Sequence, residues 1–262
     1  MSRPGRYRIA ADLASVANGT LGAAAIGYIL LGNSLFALAL LVAALGFDGL
    51  DGLLARRAGG APSVVGRWLD SAADTVSFAV APGLLLAVHR YAQAAWAPYD
   101  TAARLVGLLV ATLAVARLVY FTWRGYRLPY FLGASTPQTA LALLLLVLFF
   151  QQPAYLGEDP VAVLGGALLL APLMVLPVPY PKIRRGHPWR YLTAFTSLMF
   201  VVALLPIQFH PARGAPAYLL AEAAAGLAAV GVAIYYLLGP RVARTGVAAA
   251  ALPPPPGGAP HA

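Results

Sequence analysis

FDGLDGLLARRAGGAPSVVGRWLDSAADTVSF, from Phe47 to Phe78, sets Asp48, Asp51, Asp70 and Asp74 into a chain that is otherwise nearly without acid. They are four of nine acidic residues among 262. Asp48 and Asp51 are spaced i, i+3 and Asp70 and Asp74 i, i+4, so each pair shares one face of its helix when both flanks are helical. Gly59, Gly60 and Pro62 interrupt the periodicity between the pairs and predict a short loop. Two helices joined in this way aim four carboxylates at one spot. Like charges repel strongly in a low dielectric, and a bound divalent cation, more readily two, resolves the repulsion.

The rest of the chain decides the surroundings of that cluster. Hydrophobic residues make up 60%, charged residues 10%, and the mean hydropathy is +0.75. This composition places the chain in a bilayer. Apolar spans are expected at 9–32, 34–56, 64–89, 102–123, 136–152, 160–178, 190–208 and 215–239, each near the roughly 20 residues a crossing needs. The reading is an all-α, polytopic integral membrane bundle of about eight transmembrane helices, one domain over residues 1–240, followed by a disordered Pro-rich cytoplasmic tail over 241–262. Gly32 and Asn33 predict a tight first connection. The first span is long and without a convincing cleavage site, so it reads as a retained helix.

Cysteine is absent, which excludes disulfides, thiolate metal sites and a thiol nucleophile. The net charge of +9 does not indicate nucleic acid, because the basic residues are scattered between apolar spans; an anionic membrane surface is the better partner. Their distribution orients the chain. Fourteen, among them Arg3, Arg56, Arg57, Arg124, Lys182, Arg184 and Arg241, fall on one side, against Arg90, Arg104 and Arg213 on the other. The positive-inside bias then puts both termini and the aspartate loop at the cytoplasmic face of the cell membrane.

Written as Asp48-x2-Asp51-Gly52-x2-Ala55-Arg56-x9-Gly66-x3-Asp70-x3-Asp74, the motif resembles the signature of the CDP-alcohol phosphotransferases. Its Arg-to-Gly gap is one residue longer than the family's usual eight. The resemblance implies attack of an alcohol hydroxyl on the lipid-side phosphorus of CDP-diacylglycerol with expulsion of CMP. It implies two divalent cations, Mg²⁺ or Mn²⁺, held by Asp48, Asp51, Asp70 and Asp74, with Asp74 also the catalytic general base. Gly52 and Gly66 would admit the nucleotide close to a helix backbone, Arg56 would offer a planar fork to phosphate, and Ser63 would contact the nucleotide. A homodimer is implied as well.

Other stretches resemble the phosphatidylserine synthases within that family. Ala11–Gly19, ADLASVANG, is similar to their first helix and offers Asp12, Ser15 and Asn18 as nucleotide contacts. Asp70–Pro82, Phe131–Pro137 and Leu173–Pro181 are similar to three later segments. The implied acceptor is L-serine, with glycerol phosphate, inositol phosphate or another small alcohol as the alternative. Departures fall where an acceptor would be recognised. Arg117-Leu118-Val119-Tyr120-Phe121-Thr122 stands for R-L-A-R-F-N, so Tyr120 replaces one arginine, and Leu176 replaces a serine. Arg117, Lys182 and Arg184 are the candidates for binding acceptor or phosphate, weighed against snorkelling and topology roles.

A cation transporter is the competing class. Transporters carry broken polar helices near mid-membrane in matching halves, whereas here the acids cluster beside one loop. Four scattered histidines do not form a metal site, the Trp and Tyr residues near span ends read as an interfacial belt, and Glu222 and the last two helices carry no assignment.

Overall fold

The structure is a computed structural model describing residues 3–59, 64–88, 96–123, 130–151, 159–181, 189–208 and 216–251. Among the described residues eight helices follow in order. They are α1 (Arg3–Leu30), α2 (Ser34–Ala58), α3 (Val64–Ala87), α4 (Asp100–Trp123), α5 (Thr136–Gln151), α6 (Pro160–Leu173), α7 (Trp189–Gln208) and α8 (Pro216–Ala251). Five of them, α1, α2, α3, α4 with its leading turn from Ala97, and α8, are long and apolar enough to cross a membrane. The apolar stretches of α5, α6 and α7 are shorter. At 16 residues α5 spans about 24 Å, less than a hydrocarbon core of about 30 Å.

Local chemistry explains several boundaries. Gly32 takes φ +80°, which an L side chain resists, and reverses the chain between α1 and α2. Asn33 then caps α2 by accepting from the Phe36 amide at 3.2 Å. Asp159 caps α6 in the same way, accepting from Ala162 N at 3.0 Å. The span read as 160–178 ends as a helix at Leu173. Pro177, Pro179 and Pro181 lack amide hydrogens to continue it, and Pro179–Pro181 instead forms a strand, β2. It pairs antiparallel with β1 (Tyr130–Leu132), an irregularity that the all-helical reading lacked. At the other end, α8 does not stop at the expected boundary of 241. Its Ala-rich stretch continues as helix to Ala251.

α5 is the axis of the bundle. Ala140, Leu141, Ala142, Leu143, Leu144, Leu145, Val147 and Leu148 are all buried, covering every face of that helix. A helix apolar all round belongs in the interior. Small residues set the closest contacts elsewhere. A methyl group on Gly83 would lie 2.6 Å from the Gly107 carbonyl oxygen, and one on Gly107 would lie 2.3 Å from that of Gly83, so α3 and α4 touch backbone to backbone. α1 meets α3 similarly at Gly19 and Gly22, facing Ala73 and Ser77.

The middle of α3, Thr75–Val80, is wound as a π-helix. It begins at the residue after Asp74. Such turns insert extra backbone into a helix and re-aim the side chains around them. The Thr75 hydroxyl donates back to Ser71 O at 2.7 Å, and Ser77 donates across to Asn18 O of α1 at 2.9 Å. The widened turn is therefore tied to α1 beside the last aspartate.

Candidate active site

α2 and α3 bring the predicted acids together. Carboxylate oxygens of Asp48, Asp70 and Asp74 lie within 4.8 Å of one another. Asp74 is buried, and Asp48 and Asp70 are partly buried. Asp51, also buried, lies against Asp70. Ionised pairs at this separation cost on the order of 3–4 kcal/mol each at an effective dielectric near 20, so the cluster needs compensation. The donor set is made only of hard carboxylate oxygens, which suits Mg²⁺ or Mn²⁺ and disfavours softer metals. A cation held there would neutralise phosphate charge and polarise phosphoryl oxygens.

α1 supplies the next layer of contacts. Ser15 Oγ donates to Asp51 Oδ2 at 2.7 Å, and Asn18 Nδ2 donates to Asp74 Oδ1 at 3.1 Å. The two donors are spaced i, i+3 and reach one aspartate on each of the other two helices. Both are buried, Asn18 completely. Asn18 Oδ1 is itself buried without a donor among the described residues. Two of the three residues that the sequence suggested as nucleotide contacts, Ser15 and Asn18, thus hydrogen-bond to carboxylates of the cluster. Asp12, one turn before Ser15, is partly buried.

Arg56 is exposed, and its charge acts on Asp48. A Cβ on Gly52 would sit 3.3 Å from Arg56 Nη1, so the guanidinium lies over the glycine one turn before it. Gly66 is partly buried at the start of α3. Ser63, Lys182 and Arg184 lie outside the described residues.

Arg117 is the surprise among the basic candidates. Only 5% exposed on α4, it donates from Nη1 to Thr136 Oγ1 at 2.9 Å and sits over the rings of Phe121 and Phe131, at 5.7 and 5.4 Å. Its Nε is buried with no hydrogen-bond partner among the described residues. Among the described groups that act on it electrostatically is Asp74 of the acid cluster.

Sequence reasoning missed what holds this arginine. Tyr235 and Tyr236 of α8 bind the first turn of α5, next to Thr136. Tyr235 is flanked by Tyr180 of β2, stacked at 5.2 Å, and by Trp189 edge-on at 6.3 Å. Burial together with Tyr235 pushes the Tyr180 hydroxyl up to about 12, so this wall is neutral. The adjacent tyrosines in the apolar middle of the helix were a visible signal. Nothing in the local sequence named their partner 100 residues away.

Comparison with known proteins agrees with this geometry. Residues 8–178 match the CDP-alcohol phosphatidyltransferase family, a stretch that contains every aspartate of the cluster, Ser15, Asn18 and Arg117. The chain is also similar to the CDP-diacylglycerol–serine O-phosphatidyltransferase of Helicobacter pylori (strain J99), with 32% identity over 169 residues, 62% of this chain and 69% of that protein. An acid cluster on paired membrane helices, with the matched motif running through it, makes this chain a member of the CDP-alcohol phosphatidyltransferase family.

Proposed function

We propose that the protein transfers the phosphatidyl group of CDP-diacylglycerol to the hydroxyl of L-serine and releases CMP. The observation that carries the chemistry is the convergence of Asp48, Asp70 and Asp74 oxygens within 4.8 Å. What supports serine is the likeness to a serine phosphatidyltransferase over most of its length.

In this reading Asp48, Asp51, Asp70 and Asp74 would hold two divalent cations, Mg²⁺ or Mn²⁺, which would supply charge neutralisation for the diphosphate and for the departing CMP. The Asp74 carboxylate accepts the proton of the serine hydroxyl as that oxygen bonds to the lipid-side phosphorus. The bond from that phosphorus to the CMP oxygen breaks, and CMP leaves with the electron pair. Asn18, by donating to Asp74 Oδ1, keeps the other carboxylate oxygen directed at the reacting hydroxyl. Gly52, Gly66, Arg56, Ser63 and Asp12 serve the CDP-lipid. Arg117 receives the anionic group of the acceptor, with Lys182 and Arg184 attracting charged substrate to the same face. The bias of basic residues supports a cytoplasmic active site and cytoplasmic termini, and the protein works as a homodimer.

The test is a panel of alcohols offered to purified protein in nanodiscs with CDP-diacylglycerol and Mn²⁺, scored by lipid product. Phosphatidylserine as the dominant product is expected. A phosphatidylglycerol phosphate or phosphatidylinositol phosphate product, with serine inert, would overturn the acceptor assignment while leaving the phosphatidyl transfer intact.

A further inference from the structure

Tyr235 makes two hydrogen bonds to one residue: its oxygen accepts from Ser135 N at 3.1 Å, and its hydroxyl donates to Ser135 Oγ at 3.3 Å. Four residues on, Thr139 Oγ1 donates to Ser135 O at 3.1 Å and shares a 2.8 Å hydrogen bond with Tyr236 Oη. Ser135 immediately precedes Thr136, the residue that fixes Arg117 Nη1. The two tyrosines therefore clamp the first turn of α5, and that turn fixes the guanidinium. With the guanidinium over the neighbouring rings of Phe121 and Phe131 and Nη1 engaged, the group is held by contacts that leave Nε without a hydrogen-bond partner among the described residues. The hydrogen-bond and ring contacts given for the guanidinium are to neutral groups, with the Asp74 charge acting on it from the acid cluster, and a buried cation gains from an anion bonded to it directly. α8 lies wholly beyond residues 8–178, the part shared with the family.

We infer that α8 completes the acceptor subsite, with Tyr235 and Tyr236 as positioning residues that hold Arg117 ready for an anionic group, carboxylate or phosphate, carried by the acceptor alcohol. The inference rests on the reading of Arg117 as the acceptor's anion contact. Tyr235 spends both hydrogen-bonding functions on Ser135, so it acts through the α5 turn and does not touch the acceptor. Selectivity among acceptors then depends partly on a helix outside the shared catalytic core.

Steady-state kinetics of the full chain in nanodiscs tests this, with Mn²⁺, CDP-diacylglycerol and either serine or glycerol 3-phosphate varied. Tyr235→Phe keeps the ring and removes the hydroxyl. It is expected to raise KM for the acceptor about tenfold, the size of one hydrogen bond, with kcat and the CDP-lipid KM within twofold of the parent. Ser135→Ala, which leaves Tyr235 whole, should move the same constant in the same direction. Serine being the affected substrate identifies a carboxylate ligand, and glycerol 3-phosphate a phosphate. Arg117→Lys separates the two levels of the argument. If Arg117→Lys raises the acceptor KM but Tyr235→Phe and Ser135→Ala leave it unchanged, or raise both substrates' KM equally, the role of α8 is wrong. If Arg117→Lys itself leaves the acceptor KM unchanged, the reading of Arg117 fails first.

Discussion

Removing the Asn18 side chain discriminates between two accounts of α1. Asn18→Ala deletes the donor that sits 3.1 Å from Asp74 Oδ1. Hydrogen bonds to a charged group contribute about 1.5–3 kcal/mol, a factor of roughly 10–100. Losing a partner that orients a metal-binding carboxylate costs a similar factor in metal affinity. The substitution also removes the orphaned Oδ1, whose burial is unfavourable, so the loss in folding stability is offset in part. The expected signature is thus a metal defect larger than the stability defect. Purified parent and variant in nanodiscs are titrated with Mn²⁺, free ion being read by electron paramagnetic resonance, and CDP affinity is measured with and without Mn²⁺. Half-saturating Mn²⁺ should rise about 10–100-fold while metal-free CDP affinity is unchanged. Unchanged Mn²⁺ affinity with weakened metal-free CDP binding would refute the reasoning and favour Asn18 as a nucleotide contact.

Three further outcomes follow from the same geometry. Ser15→Ala removes the 2.7 Å bond to Asp51 and should raise half-saturating Mn²⁺ about tenfold, with Ser15→Thr restoring it. Gly22→Ala places a methyl 2.2 Å from Ser77 Oγ and 2.7 Å from Ser77 Cα, so α1 must move off α3; a loss of about 1–3 kcal/mol is expected in thermal unfolding, with weakened Mn²⁺ binding. Gly133→Ala combines a φ of +75° with a methyl 2.0 Å from Met174 O, and should destabilise by at least about 1–3 kcal/mol, read as a lower unfolding midpoint.

The aspartate spacing revealed the site because period and acidity are both local properties. Asp48 and Asp51, and Asp70 and Asp74, needed only helical geometry to share faces, and Gly32 with Asn33 announced the first turn for equally local reasons. What opposes a face is not local. Ser15 and Asn18 were legible as polar residues on one side of α1, yet their partners are 36 and 56 residues away. The resemblance offered them as nucleotide contacts, and packing through Gly19 and Gly22 sets them within hydrogen-bonding distance of the carboxylates. The π-helix after Asp74 has no composition signal, because TVSFAV would serve an ordinary helix equally well. Tyr235 carried no assignment from the sequence, and its contact with Ser135, 100 residues away, is one that only the closed bundle makes.

Single-turnover release of CMP from CDP-diacylglycerol by Asp74→Asn tests the central claim most directly, since this change keeps the shape of a side chain buried against Asn18 and removes its charge. With serine and saturating Mn²⁺, the parent should release one CMP per phosphatidylserine formed, and the variant should be slower by at least about 10²–10⁴-fold, the usual contribution of a general base. CMP release by the variant at the parent's rate would contradict the account.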